Sequence, residues 1–178
     1  GMFAVYTYIT WTMTEVAGMP DRWTWAVLMV YGIGMTIGNG VGGALSDRNT
    51  EYSILFALVF LVATSLVFYF GAHNLWLATI AFGFLAFFGA VLIPSLQLRL
   101  MIVAGDAQTL ASALNQSALN IANAMGAALG GLVVGAGFNY NATSLVGVVL
   151  ASLGIIVWIV SQVTAKRSGV HVKIIEQS

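Results

Sequence analysis

Apolar stretches of about the length that crosses a bilayer succeed one another along nearly the whole chain, and only short polar interruptions separate them. A spanning helix needs about 20 consecutive apolar residues. The stretches run over residues 1–17, 23–45, 52–70, 75–98, 109–138 and 142–165. The interruptions are Met19-Pro20-Asp21-Arg22, Ser46-Asp47-Arg48-Asn49, Gly71-Ala72-His73-Asn74, Arg99, and Asn139-Tyr140-Asn141. Sixty percent of the 178 residues are hydrophobic and 7% are charged; a soluble domain carries about 25% charged residues. So few charges cannot keep this much apolar surface in water, so lipid must be the solvent. The predicted fold class is an all-α membrane protein, a six-transmembrane-helix bundle over residues 1–165, with a polar tail at 166–178. The first stretch is short and begins in apolar sequence without a polar lead-in, so it is read as a truncated helix.

Six crossings alternate sides. Arg48, Arg99, Lys166, Arg167 and Lys173 then share one side, with Arg22 alone on the other. The excess of Lys and Arg assigns the first side, and the tail with it, to the cytoplasm. Trp23, Trp25, Trp76 and Tyr140 fall at the opposite ends, where interfacial aromatics belong. No secretory leader is expected, because the first ten residues hold no Lys or Arg and no small-residue cleavage site closes a short apolar core. The absence of cysteine excludes a disulfide framework and a Cys metal site. A net charge of zero gives no footprint for nucleic acid. No Gly-x-Ser-x-Gly turn or phosphate-binding glycine loop occurs, so neither a hydrolase nor an ATP-driven pump is predicted, and no cofactor or metal is expected. The acids avoid the membrane centre. Glu15 and Asp21 lie at the outer end, Asp47, Glu51 and Asp106 near the inner face, and Glu176 in the tail.

The fifth stretch is the most polar. At about 100° per residue, Ser112, Asn115, Gln116, Asn120 and Asn123 share an arc of roughly 140°. Amides facing lipid would lack partners. They are therefore candidates for a substrate cavity, with Asn120 and Asn123 deepest; interhelical hydrogen bonding is the plainer alternative. The first stretch carries a related stripe of Tyr6, Thr7, Thr10 and Thr14. Threonine bonds its own backbone cheaply, so Tyr6 is the stronger candidate, with Thr10 beside it. Gly34, Gly38 and Gly42, and the pairs Gly126/Gly130 and Gly131/Gly135, have the spacing of close helix crossings. Pro94 is expected to kink the fourth segment, Asp106 to cap the fifth, and His73 to sit in the outer headgroup zone. Gly43-Ala44-Leu45-Ser46-Asp47-Arg48 reads in two ways. It is either a helix end with a cap between Asp47 and Thr50, or a cross-helix contact in which Gly43 allows close approach, Asp47 accepts bonds from a helix N-terminus and Arg48 pairs with an acid.

That last motif resembles the glycine-x-leucine-x-aspartate-arginine loop of the major facilitator superfamily. Two further stretches are similar to its twelve-helix drug and sugar efflux branch. Phe3-Ala4-Val5-Tyr6-Thr7-Tyr8-Ile9 looks like helix seven. Ala113-Leu114-Asn115-Gln116-Ser117-Ala118-Leu119-Asn120-Ile121-Ala122-Asn123-Ala124-Met125-Gly126, with Gly130-Gly131 beyond it, looks like helix eleven. The matches keep the family's order. The resemblance implies the C-terminal half, helices seven to twelve, built as two inverted three-helix repeats. It also implies secondary-active, proton-coupled efflux by antiport, of a small sugar-like or drug-like molecule, in a bacterial inner membrane. In that picture Tyr6, Thr10, Asn115, Gln116, Asn120 and Asn123 line a substrate cavity, and Gly43, Asp47 and Arg48 form a gating loop. The partners would be the substrate, protons, the lipid bilayer and an N-terminal six-helix half that carries the coupling acid. Asn49-Thr50-Glu51 departs from the family pattern, which has a glycine and basic residues there. The competing reading is a self-standing six-helix membrane assembly without transport activity.

Overall fold

The computed structural model describes residues 2–167, with side chains through 164. Helix α1 spans Met2–Trp11 and runs on as a π-helical turn, Thr12–Val16. Helix α2 spans Thr24–Gly71, α3 Leu75–Ala104, α4 Gln108–Gly135 and α5 Thr143–Arg167. Among the described residues, three helical stretches, Asp21–Gly71, Leu75–Gly135 and Tyr140–Thr164, are long and apolar enough to cross a membrane.

Helix α2 has 48 residues, which if straight would reach about 72 Å at 1.5 Å per residue. It is not straight. Asn49 leaves helical geometry, with φ −159° and ψ 98°. Asparagine competes for backbone hydrogen bonds and suits a break. Its Oδ1 accepts from the Tyr52 amide at 3.0 Å, which caps the helical limb that resumes beyond the break. The limbs on either side, 24–48 and 50–71, both pack on α3 but in opposite directions. Along the first limb, Gly34, Gly38 and Gly42 meet Gly83, Phe87 and Val91 in turn, so that limb runs parallel to α3. Along the second, Ser53 meets Ser95, Phe60 stacks on Phe88, Phe68 lies near Phe82, and Gly71 abuts Leu77, so that limb runs antiparallel. The chain therefore reverses at Asn49. Asn74 makes the next turn by the same chemistry, its Oδ1 accepting from the Trp76 and Leu77 amides at 3.1 and 3.2 Å; His73 is exposed within that turn.

Gly105 closes α3, with φ 53°, a backbone conformation open to glycine at little steric cost. Helix α3 runs through Pro94 as uninterrupted helix, so the predicted kink produces no break. Asp106 does not cap α4. It sits inside a 3-10 turn, Gly105–Ala107, that runs straight into the helix, and the N-cap position is Ala107 without a side-chain bond.

The core gathers around α3. Tyr31, Phe82 and Phe68 form one aromatic layer, and Phe56, Phe60 and Phe88 another. A Cβ on Gly42 would lie 2.7 Å from the Val91 backbone, and one on Gly38 would strike the Phe87 carbonyl. The glycine row of the first limb thus acts as predicted, by letting two backbones touch. Under it, Ser46, Ser53 and Ser95 form a buried hydroxyl cluster, with Ser95 at 2.7 Å from each of the other two.

Candidate functional site

Helix α4 has 28 residues, yet Ala111, Gly126 and Gly130 are its only buried ones. Its two exposed faces differ in chemistry. Leu114, Ile121, Met125 and Leu132 recur on one side and are 59, 62, 53 and 69% exposed. The opposite side carries the amides. Gln116 and Asn120 are exposed there, and Asn115, Asn123 and Ser112 half-buried. Among the described residues, none of these four amide side chains makes a hydrogen bond. Among the described residues they do not bridge helices, the plainer expectation.

Helix α1 stands between α4 and the first limb of α2. Tyr8 lies across Gly130 and Gly131 of α4, its hydroxyl 2.7 Å from where a Gly131 Cβ would be. Gly135, at the far end of that spacing, approaches nothing. On the other flank, the Tyr6 ring sits 4.8 Å from that of Tyr31. Between these contacts Tyr6 and Thr7 are exposed and Thr10 is half-buried. Thr7 donates to the Phe3 carbonyl at 2.8 Å and Thr14 to the Thr10 carbonyl at 3.0 Å, so those hydroxyls are satisfied by their own backbone. Tyr6 makes no such bond. The structure thus brings Tyr6 and Thr10 to the exposed arc of α1, beside the helix that carries the amides. Asn39 of α2, a single amide in an apolar stretch, is also exposed and without a side-chain hydrogen bond among the described residues. Its position between Gly38 and Gly40 hid it among packing glycines.

The loop candidates fall differently. Asp47 and Arg48 are exposed, and neither has a side-chain partner among the described residues. Gly43 is half-buried and a Cβ there would meet nothing within 4 Å; the close approach belongs to Gly42. The turn itself is capped by Asn49, within the span expected for a cap. The charged contact at this end is made by Glu51. Its Oε1 lies 3.0 Å from Arg99 Nε. Its Oε2 accepts from Trp158 Nε1 at 2.7 Å and from Gln162 Nε2. Arg99 Nη2 also donates to Ser161 Oγ at 3.0 Å. One carboxylate therefore joins the second limb of α2 to α3 and α5. The signal for it in the sequence was the departure at Asn49-Thr50-Glu51, together with Arg99 standing alone in apolar surroundings.

One further concavity, about 460 Å³, lies between α4 and α5 and is lined by Leu132, Val133, Phe138, Leu145 and Val149, among other apolar side chains. It presents no hydrogen-bonding side chain and cannot orient a polar molecule. Among the described residues no cluster of His, Asp or Glu is arranged to hold a metal.

The comparisons with known proteins give relatives for this bundle. The chain is 35% identical over 158 residues to "Inner membrane transport protein YdhP" of Escherichia coli O157:H7, covering 87% of this chain and 40% of that protein. It is 33% identical over 142 residues to the MFS-type transporter YtbD of Bacillus subtilis, covering 75% and 35%. It is 27% identical over 135 residues to the "Probable sugar efflux transporter" of Helicobacter pylori, covering 75% and 34%. The chain thus spans about two-fifths or less of the length of these curated relatives. No solved structure matches it. The relatives are transporters, not enzymes. The profile described as Major Facilitator Superfamily matches residues 1–173, and the chain belongs to that family of multi-pass membrane proteins.

Proposed function

We propose that this chain is the C-terminal, six-helix half of a twelve-helix secondary-active transporter that exports a small neutral molecule, sugar-like or drug-like, from a bacterial cell. If α1, the two limbs of α2, α3, α4 and α5 each cross once, the crossings would number six, three before the turn at Asn74 and three after it. The observation that carries the reading is the opposition of faces on α4. Its leucine face suits lipid. Its amide face does not, because unpartnered amides in hydrocarbon are costly. Asn115, Gln116, Asn120 and Asn123 would line one wall of a wet cavity at the junction with an N-terminal bundle, with Tyr6 and Thr10 contributing from α1. Alternating access would rock the two bundles about a site near the midplane. Gly43, Asp47 and Arg48, with the two charged side chains exposed and without partners among the described residues, would form the gating loop against the other half on the cytoplasmic side. No acid of this chain falls on the amide arc, so proton coupling is assigned to the other half. Export of a sugar-like molecule is supported by the name of the Helicobacter relative.

The test is to change Asn120 and Asn123 together to Ala in the intact transporter and measure proton-driven export of radiolabelled neutral sugars from proteoliposomes. Loss of apparent affinity is expected, with unfolding temperature unchanged. Normal affinity and rate would sink the cavity assignment. Liposomes holding these 178 residues alone are expected to move nothing; measurable export from them would overturn the half-transporter reading in favour of a self-sufficient assembly.

A further inference from the structure

One polar atom stands out against the rest of the interior. Among the described residues, the Tyr31 hydroxyl is the single buried side-chain oxygen or nitrogen without a hydrogen-bond partner. The residue is 6% exposed. The other buried hydroxyls in its bundle are satisfied: Ser46, Ser53 and Ser95 by one another, Ser65 by the Leu61 carbonyl, and Thr12 by the Tyr8 carbonyl. A buried donor left without a partner is destabilising, and phenylalanine would fill the same volume without that penalty. Packing therefore does not account for a tyrosine here.

Its surroundings place it next to the exposed arc of α1. Tyr31 is stacked on Phe82 at 4.8 Å on its core side. On its other side lies Tyr6, also at 4.8 Å and tilted by 39°. Tyr6 is 37% exposed, with its hydroxyl unbonded among the described residues, and Phe3 flanks it at 5.5 Å. A covered phenol and an accessible phenol thus stand side by side within an aromatic row that starts on the exposed arc of α1 and ends in the core. Aromatic faces accept the apolar C–H face of a small molecule, while phenol hydroxyls fix its polar groups.

We propose that Tyr31 and Tyr6 form a two-phenol subsite, in which the Tyr31 hydroxyl hydrogen-bonds a hydroxyl or ether oxygen of a neutral polyhydroxylated ligand stacked against Tyr6. Tyr31 is then a specificity-determining residue supplied by α2. Rotation of the exposed Tyr6 side chain admits the ligand. The subsite rests on the reading of the adjoining arc as a substrate cavity, and it deepens that reading by naming the groups that recognise a sugar-like molecule.

The test uses the intact transporter carrying Tyr31→Phe, with radiolabelled glucose, galactose and lactose as probes. A lost neutral hydrogen bond corresponds to about fivefold to tenfold in affinity. The expected result is a rise of that size in KM for at least one probe, with kcat little changed and the unfolding temperature equal or higher. An unchanged KM for every transported probe, with a raised unfolding temperature, would show an unpaired packing atom and overturn the proposal. A lowered unfolding temperature with unchanged KM would show an internal partner and also overturn it. Fluorine NMR of the protein with fluorotyrosine at position 31 separates this proposal from the transport reading. If the wild type moves none of the sugars but the resonance shifts when they are added, the subsite stands and the export assignment fails. If neither transport nor a shift is seen, the subsite fails.

Discussion

The two flanks of α3 are held by different means. On one flank, the second limb of α2 and α5 are fastened by directional contacts. These are the serine cluster, the Glu51 carboxylate with its three partners, and Asn141 Nδ2 donating to the Tyr69 carbonyl at 3.1 Å. These polar groups are matched within the chain. On the other flank, α1 rests on α4 through Tyr8 and two glycines, and the amides of α4 are at least partly exposed and without partners among the described residues. Polar groups in a bilayer must be satisfied somewhere. The first flank satisfies its own and behaves as scaffold. The second leaves them to whatever lies beyond it, which is where binding and conformational change are expected.

The contrast can be broken most forcefully in the glycine row. Gly38→Val places side-chain atoms against the Phe87 carbonyl, and a loss of about 3 kcal/mol is expected from overpacking, read by chemical unfolding in detergent. Gly40→Val, where a Cβ meets nothing within 4 Å, is the control and should unfold within about 1 kcal/mol of wild type. A similar loss at both positions would show that helix propensity, not backbone contact, governs the row. Next in size is Glu51→Ala. It strands the Trp158 and Gln162 donors and Arg99 in a partly exposed site, so about 1–3 kcal/mol should be lost. The double change with Arg99→Ala should cost less than the two single changes added together; strict additivity would show that the two side chains act independently. Ser95→Ala removes the central hydroxyl of the cluster and should lower stability by about 1 kcal/mol. The smallest effect is predicted on the opposite flank. Asn120→Leu in this chain should change stability by less than about 0.5 kcal/mol, because the amide has no partner among the described residues. A larger loss there would mean that the amide face is structural, and the distinction between the flanks would collapse.

Much of the scaffold was legible from local chemistry. The polar run ending in Asn49 marks the reversal of α2, since an asparagine cap is a short-range signal, and Asn74 repeats it. The spacing of Gly34, Gly38 and Gly42 forecasts a tight crossing because close packing in a helix needs a small residue every fourth position. The opposed faces of α4 arise from its period. The expected Asp106 cap failed, because the decisive fact is whether a 3-10 turn flows into the helix, which depends on how α3 ends at Gly105. The four-residue spacing already favours Gly42 over Gly43 as the contact, since one residue rotates the contact by about 100°.

The sequence by itself determined that this chain belongs in lipid, where its helices break, and which face of α4 is polar. These depend on composition and on periods of a few residues. Only the tertiary structure decided which polar groups are answered and which are not. Glu51 meets Trp158 and Gln162 across separations of 107 and 111 residues, and among the described residues Tyr31 lacks a partner because of how three helices converge around it. A side chain's hydrogen bonds depend on what folding brings beside it, and no local pattern encodes a neighbour that far along the chain.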